Sequence, residues 1–132
     1  EAGWLALSLG DLPRAQAIFD GLRILSPEDP LSSMGQAEIA LALGDAATAK
    51  SAARAVQRAE NADLQTRCLG IVLEARAELC GHAFARAKTQ LEEAIRLDAQ
   101  GAAGRSARVL LDELNLAETQ TQTSSKAERS TG

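Results

Sequence analysis

The sequence predicts an all-α fold, an array of antiparallel helix hairpins, and three observations carry that expectation. Gly10-Asp11 returns as Gly44-Asp45 after 34 residues, and its surroundings return with it: Gly3 as Ala37, Leu9 as Leu43, Ala15 as Ala49, Leu22 as Val56. A fixed period of this length marks stacked helix–turn–helix units. Alanine supplies 27 of 132 residues while aromatic content is 2%, so packing must rely on small side chains of high helix propensity. No stretch alternates apolar and polar residues over the length of a strand.

The elements follow from local chemistry. A first helix, Ala2–Leu9, ends at Gly10, where a glycine can take the left-handed backbone that closes a helix. Asp11 caps the next, about Leu12–Leu25, with Pro13 in the first turn where a missing N–H is harmless. Ala15, Ile18, Phe19, Leu22 and Leu25 form its apolar stripe. The run Ser26-Pro27-Glu28-Asp29-Pro30 breaks it, and Asp29-Pro30 starts a third helix to Leu43. After Gly44-Asp45 comes a fourth, about Ala46–Ala59, with Ala49, Ala52, Ala53 and Val56 inward; such small residues require close approach of the neighbouring helices. Asn61-Ala62-Asp63 precedes a fifth helix, Leu64–Cys80. Gly81-His82 is the turn, and Ala83–Leu97 returns with Phe84, Ala87, Leu91, Ala94 and Leu97 inward. Ala87 follows Ala49 by 38 residues, and the four extra residues add about one helical turn. Beyond Gly101-Ala-Ala-Gly104, a last helix near 102–116 would cap the array. One helical domain over 1–116 is expected, followed at 117–132 by a polar tail without large apolar residues, which predicts disorder.

Charge and composition narrow the function. A net charge of −4 lacks the basic footprint of a nucleic-acid surface. No apolar run approaches a membrane span, so membrane insertion is not expected. The chain opens Glu-Ala-Gly-Trp without an initiator Met or signal-peptide pattern, and so reads as processed or excised. Cys68 and Cys80, twelve residues apart on one helix, lie about 18 Å apart, too far for an intrachain disulfide. Free thiols suit a cytoplasmic location.

These repeats resemble the tetratricopeptide repeat (TPR) family over about residues 2–100. The first unit supplies Gly3, Gly10-Asp11, Ala15, Phe19 and Pro27; the second Ala37, Gly44-Asp45 and Ala49, then Ala53 and Asn61 where Phe and Pro are usual; the third Ala75, Gly81-His82, Phe84, Ala87, Leu91 and Ala99. The resemblance implies a right-handed superhelix of about three hairpins whose first helices line a concave, peptide-binding surface. Carried onto this chain, that surface holds Trp4, Leu7, Leu31, Met34, Glu38, Leu41, Leu69, Val72, Arg76 and Leu79, with Cys80 at its edge. It is apolar, with one acid and one base facing each other. Met34, Gly35 and Val72 stand where clamps for a C-terminal carboxylate place polar groups, so a cochaperone of that kind is rejected. The run Ala17–Pro30 also resembles TPR chaperones of bacterial type III secretion, cytosolic proteins that keep export substrates soluble.

No enzyme is assembled from these residues. His82 is the only histidine, and Cys80 beside it lacks a second ligand pair for a metal. Glu74 and Glu78, with Glu92-Glu93, read as surface ion pairs among interspersed arginines rather than an acid–base pair. Lys50, Arg54 and Arg58 read as a solvated basic stripe, and no phosphate-binding loop is present. No cofactor and no metal are expected. Trp4 either anchors a ligand or packs against an upstream helix or a second copy. The expected function is a non-enzymatic module that holds a peptide or amphipathic helix in an apolar groove. The alternatives are a structural protein self-associating, as a homodimer, through its N-terminal helix, and a regulatory segment of a larger enzyme.

Overall fold

A computed structural model of the chain describes residues 2–27 and 29–131; Glu1, Glu28, Gly132 and the side chains of 124–131 lie outside the described residues. Among the described residues seven helices follow one another: α1 (Ala2–Ser8), α2 (Leu12–Leu25), α3 (Pro30–Ala42), α4 (Ala46–Arg58), α5 (Leu64–Cys80), α6 (Phe84–Leu97) and α7 (Ala102–Thr131). Each packs on the next in sequence. The odd-numbered helices also touch one another, α1 on α3, α3 on α5 and α5 on α7, whereas among the described residues no even-numbered pair does. The odd helices are thus the inner row of a two-row hairpin array, and the face they share is where a groove can form.

Aspartates start four of the helices. Asp11, Asp29, Asp45 and Asp63 accept hydrogen bonds from the backbone N–H of Arg14, Leu31, Thr48 and Thr66, each satisfying a donor that the first turn leaves free. The three hairpin turns share one geometry. Gly10, Gly44 and His82 carry positive φ of 76°, 74° and 62°. Their N–H groups donate to Leu7, Leu41 and Leu79, and those of Asp11, Asp45 and Ala83 donate to Ala6, Ala40 and Glu78 at 2.8 Å each. The left-handed residue of the third turn is therefore His82, one position later than the Gly81 register expected from sequence. Ala83 stands where the other turns have a capping aspartate, and α6 has no side-chain cap.

Packing follows residue size. Phe19 of α2 is 1% exposed and wedges between two glycines. A Cβ on Gly3 of α1 would lie 2.7 Å from its ring, and one on Gly35 of α3 would run into the ring itself. Trp4 meets the same ring edge-on at 5.0 Å. Where the second unit lacks a large residue, alanines close the distance. Ala40, Ala49 and Ala77 form one buried cluster across α3, α4 and α5, and Ala37, Ala53 and Leu73 form another. Gly70 of α5 meets Val56 and Gln57 of α4, where a Cβ would stand 2.8 Å from Gln57.

Several expectations need correction. Leu25 is 81% exposed and Phe84 46% exposed, so neither is inward; Leu25 falls at the last residue of α2, past the reach of its neighbours, and Phe84 opens α6. The last helix does not end at Leu116, and the tail expected to be disordered carries helical backbone to Thr131. No Gly or Pro interrupts 117–131. The Thr119, Thr121 and Thr123 hydroxyls also bond back to carbonyls one turn earlier, at 2.9–3.0 Å. Poverty in apolar residues argued against packing, not against helical backbone. Packing is indeed slight there: every described side chain from Asn115 to Thr123 is exposed.

Glu74 and Glu78 are not surface residues. They are 9% and 4% exposed, because their face of α5 is the one covered by α4 and α6. The Glu74 carboxylate accepts hydrogen bonds from Gln57 of α4 (2.9 Å) and Gln90 of α6 (2.8 Å), with Arg54 at 3.5 Å. Lys50 approaches Glu78 at 2.5 Å, close but off the hydrogen-bonding direction. Two of the three residues of the expected basic stripe of α4, Lys50 and Arg54, are thereby spent on α5, while Arg58 is in no ion pair among the described residues.

Candidate interaction groove

The inner row encloses an open groove of about 510 Å³. Its floor is α5, through Leu69, Val72, Leu73 and Arg76. One wall is α3 with Met34 and Glu38, extended by Trp4 of α1; the other is α7, through Arg105, Ser106, Val109, Leu110 and Glu113. Helical spacing explains each row: 69, 72, 73 and 76 share one face of α5, and 105, 106, 109, 110 and 113 share one face of α7. A shallower depression beside it, about 490 Å³, is lined by Trp4, Leu7, Ser8, Gly10, Leu12, Glu38 and Ala42. Trp4 and Glu38 form the ridge between the two.

Six of the ten residues placed on this surface from sequence line the groove: Trp4, Met34, Glu38, Leu69, Val72 and Arg76. Val72, at 5% exposed, offers only an edge and mostly packs on Leu91 and its neighbours. Leu7 lines the neighbouring depression. Three do not belong. Leu41 packs among the alanine clusters and Leu79 against the core of the third unit. Leu31, 47% exposed, lies at the opposite end of α3 and lines neither depression. Half-buried Cys80 lines neither.

Sequence reasoning missed the α7 wall. Arg105, Val109 and Glu113 recur every four residues, and that spacing is the signal of a second face on α7 besides the capping one.

At one end of the α5 row, Arg76 donates both guanidinium nitrogens to Glu38, Nη1 to Oε1 at 2.6 Å and Nη2 to Oε2 at 3.0 Å. The fork–fork geometry neutralises both charges and ties α3 to α5. Two of the five guanidinium N–H donors are engaged in this way. Trp4, Met34, Leu69, Val109 and Leu110 otherwise present indole, thioether and aliphatic surface, and Arg105, Ser106 and Glu113 add polar groups along the α7 wall.

Reactive chemistry is not gathered here. His82 stacks edge-on against Phe84 at 5.9 Å, in the turn at the far end of α5. Cys68 and Cys80 are both free thiols on α5, and burial pushes the Cys68 thiol upward, with Asp98 and Glu93 adding to the effect. Among the described residues no three His, Cys, Asp or Glu side chains are placed to hold a metal ion, and no helix is long and apolar enough to cross a membrane. No protein-family model matches the chain, and no curated protein or solved structure does either.

Proposed function

We propose that this chain is a non-enzymatic, TPR-like interaction module that seats an amphipathic helix of a protein partner between α3 and α7. The observation that carries the reading is the groove itself, with apolar anchors on α3, α5 and α7, charged residues interspersed only along the α7 wall, and a charge pair at its floor that satisfies itself. An extended peptide would ask for polar side chains to bond its backbone. A helix bonds its own, and needs only anchors at i, i+3/i+4 and i+7, which Met34, Leu69 and Val109 can receive. Burying about 300 Å² of apolar surface gives roughly 7 kcal/mol before ordering costs, enough for micromolar affinity. The narrower secretion-chaperone expectation rests on residues 17–30, none of which lines the groove.

The test is selection of a displayed library of amphipathic helices against the protein, with counter-selection on the Met34→Glu, Val109→Glu double variant. Binders that lose at least tenfold affinity for the variant, at unchanged helicity, are expected. Binders indifferent to both substitutions would reject the groove.

A further inference from the structure

We infer that the helix seated in this groove is α7 of a second copy of the chain, lying antiparallel to the α7 that forms the wall. The inference rests on the groove reading above and names its partner. Along α7, Ala102, Arg105, Val109, Glu113 and Leu116 fall within about 40° of one line on the helix surface. All five are exposed, Val109 by 58% and Leu116 by 59%. Large apolar side chains at that exposure, on a stripe bordering a groove, leave a seam without its other half.

The charges on the stripe specify what fits it. Arg105 lies four residues before Val109, and Asp112 and Glu113 lie three and four after it. Among the described residues none of the three takes part in an ion pair, whereas Glu38 and Arg76 on the floor are engaged with each other. A two-fold axis through Val109, perpendicular to α7, brings Val109 onto its own copy. It also brings Leu116 onto the small Ala102 of the other chain and each Arg105 against the Asp112–Glu113 carboxylates of the other. The stripe is self-complementary, as a two-fold interface demands. A parallel arrangement would set Arg105 on Arg105 and acid on acid, so charge selects the antiparallel one. From Ala102 to Leu116 the seam spans ~21 Å, with Trp4 and Met34 beside it to enclose the incoming helix.

The test is sedimentation equilibrium of the full chain at micromolar concentrations, with two charge reversals, Arg105→Glu and the double Asp112→Arg, Glu113→Arg. The wild type is expected to dimerise. Each reversal alone should weaken the dimer roughly tenfold or more, while an equimolar mixture of the two should restore it, because both cross-pairs become attractive again. All three positions are exposed, so circular dichroism should report unchanged helicity. A monomeric wild type, a dimer indifferent to Arg105→Glu, or a mixture that stays monomeric would overturn the inference. In any of those cases helical binders sensitive to Met34→Glu, Val109→Glu would leave the groove itself standing; absence of such binders would remove both.

Discussion

Arg76 grips Glu38 through two hydrogen bonds of 2.6 and 3.0 Å and so joins α3 to α5 beneath the groove. Both side chains remain about a third exposed, 37% and 30%, so solvent screens much of their attraction. The pair contributes more to the character of the groove than to its stability.

Replacing Glu38 by Ala is therefore expected to cost less than about 1 kcal/mol in urea unfolding. It should also leave the Arg76 guanidinium free. Helical peptides carrying a central acidic residue should then bind several-fold more tightly, with purely apolar ones little changed, as a calorimetric titration would show.

The third turn offers two stabilising changes. His82→Gly removes a side chain from left-handed backbone, a relief of about 1 kcal/mol, less whatever its edge contact with Phe84 supplies. Ala83→Asp restores the cap that Asp11 and Asp45 provide, for about 1 kcal/mol more. Chemical denaturation of the single and double variants should show both gains, nearly additive.

Gly35 works in the opposite sense. Alanine there would raise helix propensity by about 1 kcal/mol, but its methyl would enter the Phe19 ring. A net loss of about 1–3 kcal/mol is expected. Combining it with Phe19→Leu should cost less than the sum of the single changes, and a double-mutant cycle measures the difference.

Much of this architecture was legible in the chain. The Gly10-Asp11 and Gly44-Asp45 pairs announced turn and cap together, and the alanines of α4 announced close helix packing. What was hidden was lateral. Sequence places Glu74 on a helix but does not say which face α4 and α6 cover, so a buried carboxylate held by Gln57 and Gln90 looked like an exposed one. Leu41 and Leu79 share the period of the groove residues, yet they pack against the buried clusters of the second and third units, a choice of neighbour that periodicity does not encode. The α7 wall escaped because its apolar residues are few and interspersed with charge, the pattern of an ordinary surface helix.

Acid should weaken the helix starts. The Asp45 carboxyl is held below the ordinary 3.8 by hydrogen bonds to the Thr48 side chain and backbone, and that of Asp63 by the Thr66 backbone and side chain. Folded values lower than unfolded ones mean that the unfolded chain takes up protons first as pH falls. Their contribution is complete above the ordinary value and disappears as pH drops through the lowered folded ones. Thermal melts below about pH 4 should fall faster for the wild type than for the Asp45→Asn, Asp63→Asn variant, whose caps do not titrate.

The central claim is that binding takes place between α3 and α7. The main competitor is the exposed apolar end of α2, where Ile24 is 80% and Leu25 81% exposed. Methyl NMR of the labelled protein, titrated with a selected amphipathic helix, distinguishes the two directly. Perturbation of Met34, Leu69 and Val109 with Ile24 and Leu25 unmoved is the expected result. Shifts confined to Ile24, Leu25 and Leu31, with the groove methyls silent, would contradict it.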